Sequence, residues 1–185
     1  IEQPEASPDV TYVPNVISAG KQYTFSKAPA SNYDDSYNCE MTDGIYNTAT
    51  SYYSGSFSGF NSTTDIIVDL GEEGKNINKF EVSYLSTNDA GIGIPRSISV
   101  SGSNDSSNWK SLGDMKIPAF QADTVMRASL ELDSDVEYKY IRFTVVRTVS
   151  WVFIDEIFVY SSIPKAITGE GGAVTEAYKN DIQSD

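Results

Sequence analysis

The residues with most chemistry to offer lie between Cys39 and Phe60, in CEMTDGIYNTATSYYSGSFSGF. Asp43 and Gly44 form an Asp-Gly pair with Thr48 five residues after the aspartate, and Tyr52, Tyr53, Phe57 and Phe60 follow among serines and glycines. A carboxylate, a hydroxyl and backbone carbonyls turned inward by a glycine are hard oxygen donors, which suit a metal loop. Aromatic rings spaced by small residues suit a different task, stacking against the apolar face of a sugar while polar groups bond its hydroxyls. An ordinary flexible turn is the third reading, and this segment alone leaves all three open.

Other loops carry residues of the same kinds. Tyr33 and Tyr37 lie in the turn-rich SNYDDSYN, Asn88, Asp89 and Arg96 flank glycines in STNDAGIGIPRS, and Arg147 and Trp151 stand in RTVSWVF. Arg96 has the geometry for a bidentate bond to neighbouring hydroxyls or a carboxylate. Trp151 shares apolar parity with Phe153, which favours a core position, as do the strand positions of Tyr84, Tyr138 and Tyr140.

Composition removes several functions. The chain has 185 residues, a net charge of -13 and no histidine. Without histidine there is no usual general base near neutral pH, no Ser-His or Cys-His pair and no His-containing zinc site. One cysteine, Cys39, forms no internal disulfide. The 26 acidic residues include no spacing that selects a glycosidase pair, so an enzyme is not expected. Strong negative charge argues against nucleic acid and anionic membranes as partners. The chain shows no initiating Met and no basic-then-apolar leader, and its surface composition is low in Lys and rich in Ser, Thr, Asn and Tyr. A secreted or cell-surface bacterial module is the expectation.

The elements that must position these residues follow a period of two. Ile66, Val68 and Leu70 alternate, as do Phe80, Val82 and Tyr84, Ile98 and Val100, and Ile141, Phe143 and Val145. Trp151, Phe153, Ile157 and Val159 read as one further parity set. The expected fold is all-β, an antiparallel β-sandwich of jelly-roll type with about eight main strands. Residues 1–13 read as an acidic leader or linker, 14–162 as the domain, and 163–185 as a linker or tail, with Pro164 and the 169–172 glycines breaking any strand. AVTEAYKNDI in that tail could form one short helix.

DIIVDLGEEGKNINKFEVSYL, SISVSGSNDSSNW, YKYIRFTVV and FIDEIFVY, in that order, resemble the discoidin (coagulation factor V/VIII type C) domain, including bacterial carbohydrate-binding module family 32. The resemblance implies a discoidin-like (galactose-binding-like) sandwich and a non-catalytic carbohydrate-binding module of a secreted multidomain protein. Its partners would be a polysaccharide or glycan and neighbouring domains. A protein-binding or adhesion module on the same fold is the alternative, because one fold hosts many sites.

The resemblance also implies a structural calcium ion, held by Asp43, Thr48 and Glu156 with carbonyls near Glu40 and Tyr46. Relatives usually place a tryptophan two residues after the threonine, where this chain has Thr50, and galactose-preferring members tend to use a histidine in the site. Lipid binding in vertebrate members needs apolar spikes ringed by basic residues, which this acidic chain does not offer.

Overall fold

Alternating apolar residues bury one face of each strand, and two such faces closed on each other make the core. The computed structural model describes residues 9–35, 40–48, 50–53 and 55–168. These contain ten strands: β1 Val10–Val16, β2 Tyr23–Phe25, β3 Ser58–Phe60, β4 Thr64–Asp69, β5 Ile77–Ser86, β6 Pro95–Ser103, β7 Lys110–Asp114, β8 Thr124–Val136, β9 Tyr140–Arg147 and β10 Val152–Thr168. One antiparallel sheet orders β1-β10-β5-β8, with β3 pairing the start of β10; the other orders β2-β4-β9-β6-β7. The all-β sandwich matches the expectation. Its extra strands include β2 and β3, which at three residues each are too short to show a period.

Ile66 and Val68, Phe80 and Val82, Ile98 and Val100, and Ile141 and Phe143 all lie in one buried cluster between the sheets. The Phe80 and Phe143 rings meet edge-on at 6.0 Å and join the two sheets through their middle. Burial of each such side chain is worth about 1.5–3 kcal/mol. Among the described residues no helix is long and apolar enough to cross a membrane.

Strand pairing extends past both expected boundaries. Val10 to Val13 pair with Thr168 to Lys165, so β1 starts inside the expected leader and β10 runs beyond Pro164. The ladder slips between Val13 and Asn15, where Pro14 has no N–H to give, and Asn15 Nδ2 donates to the Ile163 carbonyl at 3.1 Å. Pro164 therefore sits next to a bulge instead of ending the strand. The expected helix at AVTEAYKNDI lies outside the described residues.

A second bulge sets which residues of β10 reach the outer face of the sheet. Ile154 pairs with Tyr84 but Glu156 pairs with Ser83, so Asp155 is one residue too many on β10. Val152 and Ile154 face the main core before it, and Ile157 and Val159 after it. The single parity expected for Trp151, Phe153, Ile157 and Val159 is thus broken: Trp151 and Phe153 share the outer face of the sheet with Glu156, Phe158 and Tyr160. Chain alternation cannot register an inserted residue.

The β6–β7 turn closes on Asp105, whose carboxylate accepts from the Ser107 and Asn108 backbone N–H groups, the Asn108 amide and the Ser103 hydroxyl. These donors hold its pKa well below the usual carboxylate range, the Asn108 N–H contributing most. A depressed folded-state pKa adds stability above the unfolded value near 3.8, which is lost as pH falls through the folded value. Asp105→Asn is expected to melt below the parent at neutral pH, with the gap narrowing in acid. Thermal melts at both pH values check this.

Candidate functional site

At the end of the sandwich where β10 begins, loops converge on Phe153. Phe153, Phe57, Leu85 and Ile92 form a buried cluster separate from the main core, with Tyr33, Tyr52, Val125 and Trp151 packed half-buried against it. The Phe153 ring is met edge-on by Tyr33 at 5.0 Å and Tyr52 at 5.8 Å, and by tilted Trp151 at 5.8 Å. Tyr33 also meets Trp151 at 5.3 Å. Such edge-on pairs add about 0.5–1.5 kcal/mol each beyond their burial.

Backbone bonds fix these rings in place. Ala30 N–H donates to the Gly59 carbonyl of β3, and Tyr33 N–H to Ala30, so the turn bearing Tyr33 hangs from the sheet edge. Trp151 N–H donates to the Gly91 carbonyl and Gly93 N–H to the Trp151 carbonyl, both at 3.0 Å. Gly91 has φ +76, which lets the 88–94 loop turn back onto Trp151. Arg147 Nη1 donates to the Ser150 carbonyl at 2.8 Å and pins the loop before Trp151.

Tyr53 is the outermost ring, 74% exposed, lying 3.9 Å from Tyr52 at 36°. The Tyr52 hydroxyl donates to that of Tyr53, and this bond, more than burial, pushes the Tyr52 phenol up to about 12. The Tyr52 phenol stays a neutral hydrogen-bonding group at ordinary pH. Asp89 is exposed on the 88–94 loop, and its charge also raises the Tyr52 phenol.

The expected ligand residues therefore divide. Tyr33, Tyr52, Tyr53 and Trp151 come together, with Asn88 and Asp89 exposed on the adjoining loop. Phe57 and Phe60 are corrected to core residues, each 1% exposed, because β3 pairs with β10 and carries them inward. Trp151 is half-buried at the rim, intermediate between platform and core. Arg147 is spent on the loop backbone, and Arg96 stands exposed in the β6 bulge between Pro95 and Ser97. Tyr37 lies outside the described residues. Phe153, the floor, was absent from the expected set, although its position between two apolar parity residues was a usable signal.

Next along the outer face comes a group of acids. The 40–48 loop crosses β10 at the bulge, where Asn47 N–H donates to Asp155 Oδ2 at 3.1 Å and the Ser83 hydroxyl donates to it at 3.0 Å. Glu156 is 1% exposed, and its Oε2 is buried with no hydrogen-bond partner. Burial, then the charge of Asp43, pushes the Glu156 carboxyl up to about 11; burial pushes Asp155 up to about 7. Glu40, Asp43, Tyr46 and Thr48 share the lining of a cavity of about 260 Å³. Asp43 Oδ1 accepts from Ile45 N–H at 2.7 Å around Gly44 at φ +79.

Among the described residues no three acidic or thiol side chains alone close a metal cage. A cation here would need hydroxyl and carbonyl oxygens as well, which is the donor mixture calcium takes. Asp155 was not among the expected residues; two adjacent acids inside the apolar run FIDEIFVY were the available signal.

Comparison with known proteins supports the same architecture. Curated proteins give no sequence match. Among solved structures, the chain is similar to chitosan-binding module 1 of a chitosanase/glucanase from Paenibacillus sp. IK-5, at 17% identity and TM-score 0.52 over 80% of this chain and 99% of that one. It is also similar to the family 32 carbohydrate-binding module of C. perfringens NanJ in complex with galactose, at 12% identity and TM-score 0.56 over 82% and 100%. A Streptococcus pneumoniae fucose-binding module aligns at 15% identity and TM-score 0.56 over 80% and 96%. At such identities these likenesses concern the fold. The F5/8 type C domain model matches residues 22–157, from the strand preceding the acidic loop to the β10 bulge, and the chain belongs to that family.

Proposed function

We propose that the chain is a non-catalytic carbohydrate-binding module that holds a glycan at the Tyr33, Tyr52, Tyr53 and Trp151 rings. The observation that carries this reading is the exposed Tyr53 ring lying tilted against Tyr52 and backed by a buried phenylalanine floor, with Asn88 and Asp89 exposed on the loop whose Ile92 packs into the same cluster. A pyranose needs that combination of an apolar plane and nearby hydrogen-bonding groups. Covering one ring face removes little apolar area, so a single site contributes on the order of 1–2 kcal/mol from stacking. The module would act by raising the local concentration of a secreted bacterial protein at a polymer, with avidity from neighbouring domains.

The buried acids are read as structural. Asp155 and Glu156 lie under the 40–48 loop, apart from the rings, so they do not face a bound sugar as a hydrolytic pair would. Calcium fits this group. Asp43, Thr48 and Glu156 would hold it with carbonyls near Glu40 and Tyr46, and the ion would supply charge for the otherwise unpartnered Glu156 Oε2.

If so, chelation lowers the melting temperature. At a free calcium concentration 100 times Kd the ion adds about 2.7 kcal/mol, roughly 5–11 °C for a domain of this size. Glu156→Gln should lose this response. Identical melts of the parent in calcium and in chelator would remove calcium from the account.

Retention on insoluble polysaccharides, beside capture of protein partners, tests the carbohydrate reading. Retention by a glycan is expected; capture of a protein with no glycan retained favours adhesion instead.

A further inference from the structure

Near its end β10 keeps only β1 beside it. Ser161 pairs with Ile77, the first residue of β5, and farther on Lys165 to Thr168 pair with Val13 to Val10. A two-stranded ribbon is marginal in water and needs a cover. This one exposes Val10 at 45% and Tyr12 at 66%, which alternation puts on the same side of β1.

At the foot of the ribbon Tyr12 and Pro14 wall a cleft of about 770 Å³, across β10 from Lys79 and Glu81 of β5 and Arg127 of β8. The Arg127 guanidinium is clamped 4.4 Å from the Tyr46 ring centre and 4.4 Å from that of Phe158. Arg127 pairs with Glu81 at 3.0 Å, and Lys79 pairs with the same residue at 2.9 Å. Two cations thus share one carboxylate, a local positive excess in a chain of net charge -13. An apolar rim beside that excess suits an amphipathic segment that carries negative charge.

Such a segment follows in the chain. Residues 169–185, outside the described residues, hold Glu170, Glu176, Asp181 and Asp185 against the single cation Lys179. Gly169, Gly171 and Gly172 give the backbone freedom to reverse after Thr168. Projected on a helix at about 100° per residue, Ala173, Val174, Ala177, Tyr178 and Ile182 share one half of the surface. Asp181 falls among them, and Lys179 falls on the opposite side.

The reach is sufficient. Tyr12 lies level with Ala166, and Lys79 level with Tyr160. From Thr168 back to Tyr160 is roughly 26 Å along the strand, against about 13 Å for a four-residue turn plus about 15 Å for a ten-residue helix.

We propose that residues 173–182 fold back as an amphipathic helix seated in this cleft, with Val174 and Tyr178 on the Tyr12 and Pro14 side and Asp181 reaching the Lys79 and Arg127 side. An acidic peptide from another protein would meet the same chemistry, but attachment at Thr168 gives this segment an effective concentration near millimolar. Two chains of net charge -13 repel, which disfavours a second copy as the occupant. Docking turns the chain back across the domain after β10 and sets where the residues beyond Ile182 leave it. The ring cluster takes no part.

The test is solution NMR of the full chain, beside a variant combining Tyr178→Ser with Ile182→Ser and a second carrying Asp181→Lys. All three positions lie outside the sandwich, so the variants keep its fold. In the parent, backbone order parameters over 174–182 should approach about 0.85, the value of a rigid backbone, with NOEs from Val174 and Tyr178 to the Tyr12 ring. In the double variant they should fall below about 0.6 and the NOEs should vanish. The Asn15 and Asn78 side-chain amides, which line the cleft, should shift while the Trp151 indole N–H stays unmoved. Asp181→Lys should lower the order parameters in the same direction.

Order parameters below about 0.6 across 174–182 in the parent overturn the proposal. An ordered segment without contact to the cleft overturns it too, as do NOEs to Tyr12 that arise only between differently labelled chains, the sign of a second copy.

Discussion

Phe153→Ala is expected to destabilise the domain by about 3–5 kcal/mol, the usual result of emptying a fully buried phenylalanine site. For a domain of this size that is roughly 6–20 °C in melting temperature. Phe153 is 1% exposed, and three half-buried rings lean on it. A Cβ placed on Gly59 would lie 2.8 Å from the Phe153 ring, which shows how closely the strand backbone supports it from below. Truncation leaves Tyr33, Tyr52 and Trp151 above a hole into which they can rotate.

Glycan affinity of the folded fraction should therefore fall as well, by more than tenfold, because the platform loses its orientation along with its support. Phe153→Leu, which keeps much of the volume but not the ring edges, should recover most of the stability and little of the affinity. Denaturant titration paired with binding on the same samples measures both.

Gly74→Ala is expected to cost at least about 3 kcal/mol, by overpacking. A Cβ at Gly74 would lie 1.9 Å from the Tyr138 carbonyl oxygen, a backbone atom that cannot swing aside. Tyr138 N–H also donates to the Gly74 carbonyl at 3.0 Å, and the Tyr138 ring covers Gly102 so closely that a Cβ there would approach it to 2.3 Å. Tyr138 is thus wedged between two glycines, and relief at one meets resistance from the other.

This junction joins the loop before β5 to the turn before β9 and has no part in the ring cluster. Glycan affinity of folded Gly74→Ala should equal that of the parent. Calorimetric melting gives the loss, and titration well below the melting temperature gives the affinity. The contrast with Phe153→Ala separates support of the site from support of the fold.

What could be read in the chain beforehand was whatever repeats locally. Ile66 and Val68, Phe80 and Val82, and Ile141 and Phe143 declared their strands because each buries one face. The ring cluster was legible as residue types, since Tyr33, Tyr52 and Tyr53 lie in polar segments where rings have no local reason to be. Phe57 and Phe60 had the same appearance yet are buried, because the pairing of β3 with β10 depends on residues almost a hundred positions away.

The Asp155 bulge was illegible for a related reason: an inserted residue reverses parity, and only the partner strand registers it. The clamp of Arg127 between Tyr46 and Phe158 likewise joins three distant segments and leaves no pattern in any one of them.

The most direct test of the carbohydrate reading is a calorimetric titration with the glycan that the parent chain retains, run in parallel on Tyr53→Ala. Tyr53 is 74% exposed, so its removal leaves the core intact. The account predicts measurable binding by the parent, weakened roughly tenfold in the variant, with the same melting temperature for both. Equal affinities for parent and variant, or no heat with any glycan, would contradict it.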